Sequence, residues 1–197
     1  MNPSRSRRLR GGLLVNHPDV QWDGVLELPF GVLGVRCDSR QLLQTEYLTG
    51  VDSAAALAGR AGREPPAAAQ PLLERLRQQL LAYCSDPGSP LDLPLACVGT
   101  PFQRRVWQAL RAIPPGRVLS YGELARSLGS AARAVGQACA CNPFAPLVPC
   151  HRVVARGGLG GFAGSTDSGG ELLALKRWLL RHEGALPPAP AAGAAGG

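Results

Sequence analysis

Apolar and polar positions follow two different periods along the first half of the chain. Short apolar runs bounded by glycine, proline or polar residues are typical of strands. A stretch in which leucines recur every three or four positions is typical of a helix with one buried face. The pattern predicts strands over 32–37 and 42–48, a helix over 72–83 and a short edge strand over 91–95. We therefore expect a small α/β unit here, and nothing in it suggests catalysis.

The second half carries local signals for helix starts. Thr100 is a good N-cap, and Pro101 suits the first helical position. Ser120 and Glu123 have the spacing of a capping box, and Ser130 is expected to cap the helix that follows it. These signals and the apolar periodicity predict helices over 102–112, 121–128, 131–141 and 172–182.

Two of these helices are joined by a tight turn, which suggests a helix-turn-helix unit. The second of them has mostly small side chains, so it can approach another surface closely. A neighbouring helix would explain this, and so would the minor groove of a nucleic acid. Arg133 projects from it, and we favour a phosphate contact over insertion into the base stack. The candidate nucleic-acid contacts on this helix are Ala131, Ala132, Arg133, Ala134, Gly136 and Gln137.

Composition supports an anionic partner. The chain has 197 residues, of which 45% are hydrophobic, enough for one domain or two small ones. Its net charge of +7 fits nucleic acid or an acidic membrane surface, and arginine supplies nearly all of it, although a GC-rich genome would also favour arginine. We find neither a secretory signal nor an apolar stretch long enough to cross a bilayer. We therefore expect a cytoplasmic protein without a membrane partner.

One of the six cysteines stands in a reactive sequence context. Without secretion the cysteines are expected to be reduced thiols. Cys150 lies between Pro149 and His151, and a thiol becomes a strong nucleophile when a neighbouring histidine removes its proton. Val153 and Val154 predict a strand directly behind it. Neighbours on a strand point to opposite faces, so Cys150 and His151 are expected to meet through a water or a tight turn.

The string Pro149-Cys150-His151-Arg152-Val153 closely resembles the active-site signature of the O6-alkylguanine-DNA alkyltransferases. Further motifs of that family occur in the same order over roughly residues 101–184. They include Ser120-Tyr121, Ala132-Arg133-Ala134-Val135-Gly136, Asn142-Pro143, Gly160-Gly161-Phe162, Lys176-Arg177-Trp178 and His182-Glu183-Gly184.

The resemblance implies an α+β fold. A small ribonuclease-H-like α/β N-terminal domain would precede a helical C-terminal domain with a winged helix-turn-helix. The expected organisation is a basic disordered tail over 1–19, the first domain over 20–96, the DNA-binding domain over 97–185 and a disordered tail over 186–197.

The resemblance also implies catalytic roles. Cys150 would attack the alkyl carbon on guanine O6 and keep the alkyl group, so each molecule would act once. His151 would take the thiol proton through a water, and Glu183 would hold His151. Tyr121 would contact the DNA and donate a hydrogen bond to the flipped base, because a base paired in the duplex cannot be attacked until it is extruded. Asn142 would brace the turn that carries the thiol.

A second set of residues would surround the base. Phe162 and Ala145 would line the pocket, the Ala163 amide would face O6, and the backbone carbonyls of Cys150 and Val153 would bind the exocyclic amine. Arg133 would fill the gap left by the extruded nucleotide. The implied partner is double-stranded DNA with alkylated bases, O6-methylguanine and also O4-methylthymine, bound by a monomer without a cofactor.

Other functions stay open. A non-catalytic lesion-binding module would keep the fold but replace the nucleophile, usually by tryptophan, and the presence of Cys150 argues against it. A thiol hydrolase ranks last, because nothing near Cys150 resembles an oxyanion hole. Cys139 and Cys141 could join Cys150 and His151 in a zinc cluster, but the spacing is unlike that of common zinc fingers, so we predict no metal.

Three features depart from the family pattern. The turn at 129–130 is short, which would change the docking angle in the groove. The loop after Phe162 is long and would border the pocket. Ala145 stands where some members have a proline, so benzyl groups are expected to stack less well. Alkylation of the buried sulfur is expected to destabilise the fold by overpacking.

Overall fold

The computed structural model describes residues 21–57, 65–165 and 169–187. The predicted tail over 1–19, and all but two residues of the one over 186–197, lie outside the described residues. Helices and strands are mixed, as expected for an α+β chain. In the part of the chain that is described, every helix is too short or too polar to cross a bilayer.

The first half is built on an antiparallel sheet in which the strands follow chain order. It contains β1 (Gly24–Leu28), β2 (Gly31–Cys37) and β3 (Leu42–Leu48), which confirms the strands predicted over 32–37 and 42–48. β1 was not predicted, because its five residues include a glycine and a glutamate and lack a clear alternation. Helix α1 (Gly50–Leu57) follows β3, and it was not predicted either.

Helix α2 (Gln70–Ser85) packs against the sheet and confirms the helix predicted over 72–83. Its buried positions recur at helical spacing, and Tyr83 near its end is buried as well. This face contributes Leu72, Leu76, Leu80 and Tyr83 to the hydrophobic core.

The edge strand predicted over 91–95 is wrong. Only Leu95 forms a bridge, in parallel with Leu42, through Leu42 N–H to Pro94 O and Ala96 N–H to Leu42 O. Pro90 and Pro94 have no backbone N–H, so this segment cannot continue a ladder.

The second half contains the four predicted helices. They are α3 (Pro101–Arg111), α4 (Tyr121–Ser127), α5 (Ala132–Ala140) and α6 (Glu171–His182). Two of the three predicted N-caps, Thr100 and Ser120, form complete capping boxes, with Gln103 and Glu123 as the reciprocal residues. Two short parallel strands, β4 (Leu119–Ser120) and β5 (Val153–Val154), join the start of α4 to the chain behind the thiol.

Ser130 does not cap α5, which corrects the sequence prediction. The N-cap is Ala131, and no side chain accepts a hydrogen bond there. Ser130 instead helps to end α4, because its backbone N–H binds Ala125 O while the N–H of Gly129 binds Arg126 O. Gly129 has φ +61, the conformation in which glycine commonly closes a helix. The turn is too short for one residue to end α4 and also cap α5.

One continuous cluster of buried side chains extends through both halves. It joins Leu76 and Leu80 of α2 to Val106 and Leu110 of α3 and to Leu179 of α6. A smaller cluster of Trp22, Val32 and Leu48 covers the other face of the sheet. The two halves therefore hold each other in a fixed arrangement, and the thiol lies where they meet.

Candidate active site

Cys150 begins a 3-10 turn, Cys150–Arg152, immediately before β5. The backbone forms a tight turn here, but no hydrogen bond joins the thiol to the imidazole among the described residues. A meeting of Cys150 and His151 through a water stays a prediction. Cys150 is 4% exposed and His151 is 1% exposed. Solvent therefore reaches the sulfur only through a cavity.

Asn142 holds both the thiol and the segment that leads to it. Its Nδ2 donates to Val148 O at 2.7 Å and to Cys150 Sγ at 3.3 Å, while its Oδ1 accepts from Phe144 N at 3.1 Å. The bracing of the turn was expected for this residue. The direct contact with the sulfur was not, because sequence spacing says nothing about where an amide points.

The segment over 142–150 is also fixed by strand β3. Thr45 N donates to Pro143 O at 2.7 Å, and Thr45 Oγ1 donates to Ala145 O at 2.7 Å. Thr45 is 3% exposed, so water does not compete with either bond. The first half thus sets the position of the cysteine segment.

His151 and Glu183 are in contact, as the sequence analysis expected. His151 Nε2 lies 2.9 Å from Glu183 Oε1. The other ring nitrogen, Nδ1, is buried and has no hydrogen-bond partner among the described residues. Burial lowers the pKa of His151 despite the hydrogen bond and charge of Glu183, so the imidazole is neutral and can accept a proton.

Glu183 is the centre of a buried network that sequence reasoning missed in part. Arg152 binds both carboxylate oxygens, Nε to Oε2 at 2.9 Å and Nη2 to Oε1 at 2.8 Å, and Tyr83 Oη donates to Oε1 at 2.7 Å. Burial opposes ionisation, but the hydrogen bonds and charges of His151 and Arg152 hold the pKa of Glu183 at about 2. The carboxylate is therefore ionised at every physiological pH.

Cys150 opens on a cavity of about 310 Å³ beside the helix-turn-helix. Its lining residues come from α4, α5 and the loop before α6. They are Tyr121, Gly136, Gln137, Cys139, Ala140, Cys150, Gly161, Phe162, Ala163, Gly164 and Ser165. The structure thus brings the expected pocket residues Phe162 and Ala163 to the thiol, together with Tyr121.

Two residues expected at the base do not line the 310 Å³ cavity. Val153 is fully buried, does not line the 310 Å³ cavity, and its carbonyl accepts from Lys176 Nζ at 2.7 Å. Ala145 lines a second cavity of about 40 Å³ on the side of strand β3, here called the rear cavity. Cys150 and Ala163 line the rear cavity as well, so the expected weaker stacking of benzyl groups beside Ala145 stays a prediction.

Tyr121 is held across the cavity by its hydroxyl, which donates to Gly161 O at 3.2 Å. Burial, followed by the nearby Cys139 and Cys150 thiols, raises the pKa of Tyr121 well above its ordinary value. The phenol therefore keeps its proton and can donate it in a hydrogen bond. Gly160 lies against this ring at φ +68, where a Cβ would be 3.1 Å from it.

Lys176, the only lysine of the chain, is fully buried on α6. Its Nζ donates to the carbonyls of Val153, Leu159 and Gly161 at 2.7, 2.7 and 3.1 Å. Burial lowers its pKa to about 8, against the opposing influence of Cys150. The ammonium therefore ties the loop that lines the cavity to α6 and carries a positive charge close to the thiol.

Cys150 is protonated in the resting protein. Burial raises the pKa of the thiol, and the Asn142 hydrogen bond and the Lys176 charge offset part of this effect. A proton acceptor is consequently needed before the sulfur can attack, and the unpaired Nδ1 of His151 is a neutral acceptor on the adjacent residue.

The exposed face of the helix-turn-helix lies next to the cavity. Ala131, Ala132, Arg133 and Gln137 are exposed, and Ala134 and Gly136 are half-buried. Behind this face, α5 packs against α3 and α4. The small residues thus form a surface that can come close to a partner, with Arg133 projecting from it.

Cysteine and metal chemistry are constrained by the same geometry. None of the six cysteines is in a disulfide. Within the ranges described above, no three His, Cys, Asp or Glu side chains are grouped to hold a metal ion.

Comparison with protein families finds one described as "6-O-methylguanine DNA methyltransferase, DNA binding domain", which matches residues 101–185. The chain is 57% identical over 97 residues to the methylated-DNA--protein-cysteine methyltransferase of Salmonella typhimurium, a match over 48% of this chain and 53% of that protein. The chain therefore spans about half the length of this curated relative.

Two further proteins match over more of their length. A DNA base-flipping protein of Thermus thermophilus is 45% identical over 124 residues, 61% of this chain and 80% of that protein. A crystal structure of the Mycobacterium tuberculosis protein OGT in complex with DNA superposes with a TM-score of 0.63 at 34% identity. That superposition covers 82% of this chain and 91% of the solved one.

Proposed function

Because this chain belongs to the O6-methylguanine-DNA methyltransferase family, we propose that it repairs DNA by moving the alkyl group of an O6-alkylated guanine onto its own Cys150. One observation carries the proposal: a buried thiol on the wall of a 310 Å³ cavity, bonded to Asn142, with a neutral His151 next to it and an ionised Glu183 behind that histidine. The family's named chemistry uses a cysteine as the acceptor.

The reaction begins with extrusion of the damaged base into the cavity. His151 Nδ1 takes the proton of the Cys150 thiol through a water, and Glu183 stabilises the resulting imidazolium. The sulfur attacks the alkyl carbon, a C–S bond forms, and the bond from that carbon to guanine O6 breaks with its electron pair left on the base. Tyr121 exchanges its hydrogen bond to Gly161 O for one to the base as this charge develops.

The overall exchange balances without a cofactor. O6-alkylguanine and a thiol become guanine, which gains the proton, and an S-alkylcysteine. A thioether is a poor leaving group and has no proton to lose, so the site is not regenerated. Each molecule acts once, and we propose O4-methylthymine as a second substrate of the same site.

DNA binding is assigned to the exposed face of α5. Ala131 and Ala132 are small enough for this face to enter the minor groove, and Arg133 is free to contact a phosphate or replace the extruded base. Gly136 and Gln137 line the cavity, so they lie between the groove and the thiol. We further propose that the protein works as a monomer.

The same proposal covers the organisation of the chain. We propose a ribonuclease-H-like domain over 20–96 and a DNA-binding domain over 97–185. The antiparallel sheet with α2 packed on it supports the first, and the matched family segment supports the second. Transfer also requires a reduced Cys150, which places the protein in a reducing compartment such as the cytoplasm.

A second candidate is a lesion-binding module that flips the base but transfers nothing. The 45% identity to a protein named for base flipping favours it. The Cys150, His151 and Glu183 arrangement has the groups that a nucleophile and its base require, and binding alone does not require them. Alkyl transfer is therefore the first choice.

Intact mass spectrometry tests the choice. Wild-type protein and Cys150→Ser are incubated with a duplex that carries one O6-methylguanine. Transfer predicts a gain of one methyl group, mapped to Cys150, in the wild type alone. Tight binding of the lesion duplex without a mass change would select the binding module. If neither transfer nor binding is observed, both candidate functions are contradicted.

A further inference from the structure

Cys150 lines two cavities. The larger one faces the helix-turn-helix, and the rear cavity, about 40 Å³, lies between the cysteine segment and strand β3. Residues from both halves line the rear cavity. They are Gln44, Thr45, Glu46, Tyr47, Cys139, Ala140, Asn142, Pro143, Ala145, Cys150, Ala163 and Leu172. The first half therefore reaches the back of the nucleophile.

Tyr47 is the unusual member of this lining. It is 5% exposed, and its hydroxyl is buried without a hydrogen-bond partner among the described residues. Buried hydroxyls almost always have a partner, since an unpaired one costs the desolvation of the group. The ring is held by Phe30 and Phe162, with centroids 6.1 and 5.7 Å away, so the hydroxyl cannot simply turn to solvent.

We propose that Tyr47 is a positioning residue for the Cys150 sulfur, and that it acts through water bound in the rear cavity. The hydroxyl of Tyr47 donates to the water, and the water donates to the sulfur once the sulfur is a thiolate. This inference rests on the proposed function, because it assigns Tyr47 to the same transfer reaction.

The size and polarity of the rear cavity fit this arrangement. A buried water needs roughly 10–15 Å³ of such space and two to four polar partners, so about 40 Å³ holds at least one. Tyr47 and Cys150 supply two partners. Gln44 lines the same wall, but its Nε2 already donates to Glu46 Oε2 at 2.9 Å. Thr45 and Asn142 are already bonded to the backbone of the cysteine segment.

Other groups reach the sulfur from the remaining sides. Asn142 donates to it directly, and the charge of Lys176 on α6 also favours the thiolate. Cys139 of α5 lines both cavities, and Tyr121 of α4 lines the larger one. Tyr47 would be the contribution of the first half.

The phenol of Tyr47 keeps its proton throughout. Burial raises the pKa of Tyr47 well above its ordinary value, and the negative charge of the Cys150 thiolate raises it further. A group in this state can only donate toward the sulfur, which is the direction that stabilises a thiolate. Strand β3 carries Tyr47 two residues after Thr45, so the element that anchors the cysteine segment also supplies this donor.

Tyr47→Phe tests the proposal, because it removes one oxygen and keeps the ring. The rate at which iodoacetamide modifies Cys150 is measured against pH in the full chain, with the modified peptide quantified by mass spectrometry. We expect the thiol pKa to rise and the rate at pH 7 to fall about three- to tenfold. Methyl transfer from the O6-methylguanine duplex should slow by the same ratio, with unchanged affinity for the duplex.

Phe30→Leu is the matched control. It disturbs the same aromatic cluster without removing a hydroxyl, so it should lower the melting temperature and leave the pH profile of Cys150 unchanged. The proposal is overturned if Tyr47→Phe has the wild-type pH profile, or if Phe30→Leu shifts the profile as much.

The two proposals fail in different ways. Modification by iodoacetamide requires no DNA, so it reports on the thiol alone. A shifted profile in Tyr47→Phe together with no methyl transfer by the wild type would support the role of Tyr47 and reject alkyl transfer. Normal methyl transfer by the wild type together with an unshifted pH profile in Tyr47→Phe would support alkyl transfer and reject the role of Tyr47.

Discussion

The hydroxyl of Tyr83 donates a hydrogen bond of 2.7 Å to the carboxylate of Glu183, although 100 residues separate the two. Tyr83 lies near the end of helix α2 in the first half, and Glu183 follows α6 at the end of the second. The neighbouring His182 repeats the connection, since its Nε2 lies 2.6 Å from Tyr83 O. The carboxylate that holds His151 is thus partly positioned by the other half of the molecule.

Tyr83→Phe should destabilise the fold more than it slows the chemistry. The variant removes one hydrogen bond to a buried charged acceptor, which contributes about 1.5–3 kcal/mol. Glu183 keeps its bonds to His151 and Arg152, so methyl transfer should slow less than tenfold. Urea unfolding and single-turnover rates check the two parts, and a large loss of rate with unchanged stability would contradict the assignment.

Acid should destabilise the protein through Glu183. The pKa of this carboxyl is held at about 2, below its ordinary value of 4.5, so the ionised form stabilises the fold fully above about pH 4.5. This contribution disappears as pH falls from 4.5 toward 2. The difference of about 2.5 pH units corresponds to roughly 3 kcal/mol.

Urea unfolding of the wild type and of Glu183→Gln between pH 6 and pH 3 measures this effect. The free energy of unfolding of the variant should be lower at pH 6 and should fall less steeply with acid. Parallel curves for the two proteins would show that Glu183 is not the group responsible.

Lys176→Met should loosen the wall of the cavity. The carbonyls of Val153, Leu159 and Gly161 would lose their shared donor, and each buried carbonyl left unpaired costs about 1–3 kcal/mol. We expect a loss of at least about 2 kcal/mol in stability and slower transfer, because the thiol pKa rises as well. Arg181→Met is the control, since it removes a positive charge from the exposed face of the same helix and should change little.

Arg133→Ala should slow alkyl transfer from duplex DNA and leave the reactivity of Cys150 unchanged. Transfer from an O6-methylguanine duplex should slow about tenfold, while reaction with free O6-benzylguanine should stay at the wild-type rate. If Arg133 contacts a phosphate, the slope of log affinity against log salt should also fall by about one. Arg111→Ala, which removes a charge paired with Asp92 at 3.7 Å, should leave the duplex rate unchanged.

Methylation of Cys150 should lower the melting temperature. Cys150 is 4% exposed and its sulfur accepts from Asn142 at 3.3 Å, so a methyl group crowds this contact and blocks it. Overpacking of a buried site costs about 1–3 kcal/mol, and each kcal/mol corresponds to about 2–4 °C for a chain of this size. Differential scanning calorimetry before and after one turnover measures the change, and a higher melting temperature would contradict it.

Signals that act over a few residues were readable in the sequence. The capping boxes at Thr100 and Ser120 depend on a side chain and an N–H three positions apart, so local spacing was sufficient. The Cys150 and His151 pair stood out for the same reason. Ser130 shows the limit, because the turn after α4 used its N–H for a different purpose.

Contacts between residues far apart in the chain could not be predicted from the sequence. Tyr83 and Arg152 meet at Glu183 only because α2, the 3-10 turn and α6 converge, and spacing along the chain contains no trace of that. Lys176 is the exception, because its buried position could have been predicted from the sequence. It is the only lysine and falls on the buried face of α6, between Leu175 and Leu179, where a charge needs a partner.

Trp107 gives this protein an internal optical reporter. Its indole Nε1 donates to Ala138 O at 2.9 Å across the contact between α3 and α5, and the next residue on α5, Cys139, lines the cavity of the thiol. A shift of α5 caused by an alkyl group on Cys150 would change the polarity around that indole. The wavelength of its fluorescence emission would change as a result. The fluorescence of an unlabelled sample would then distinguish spent molecules from unused ones.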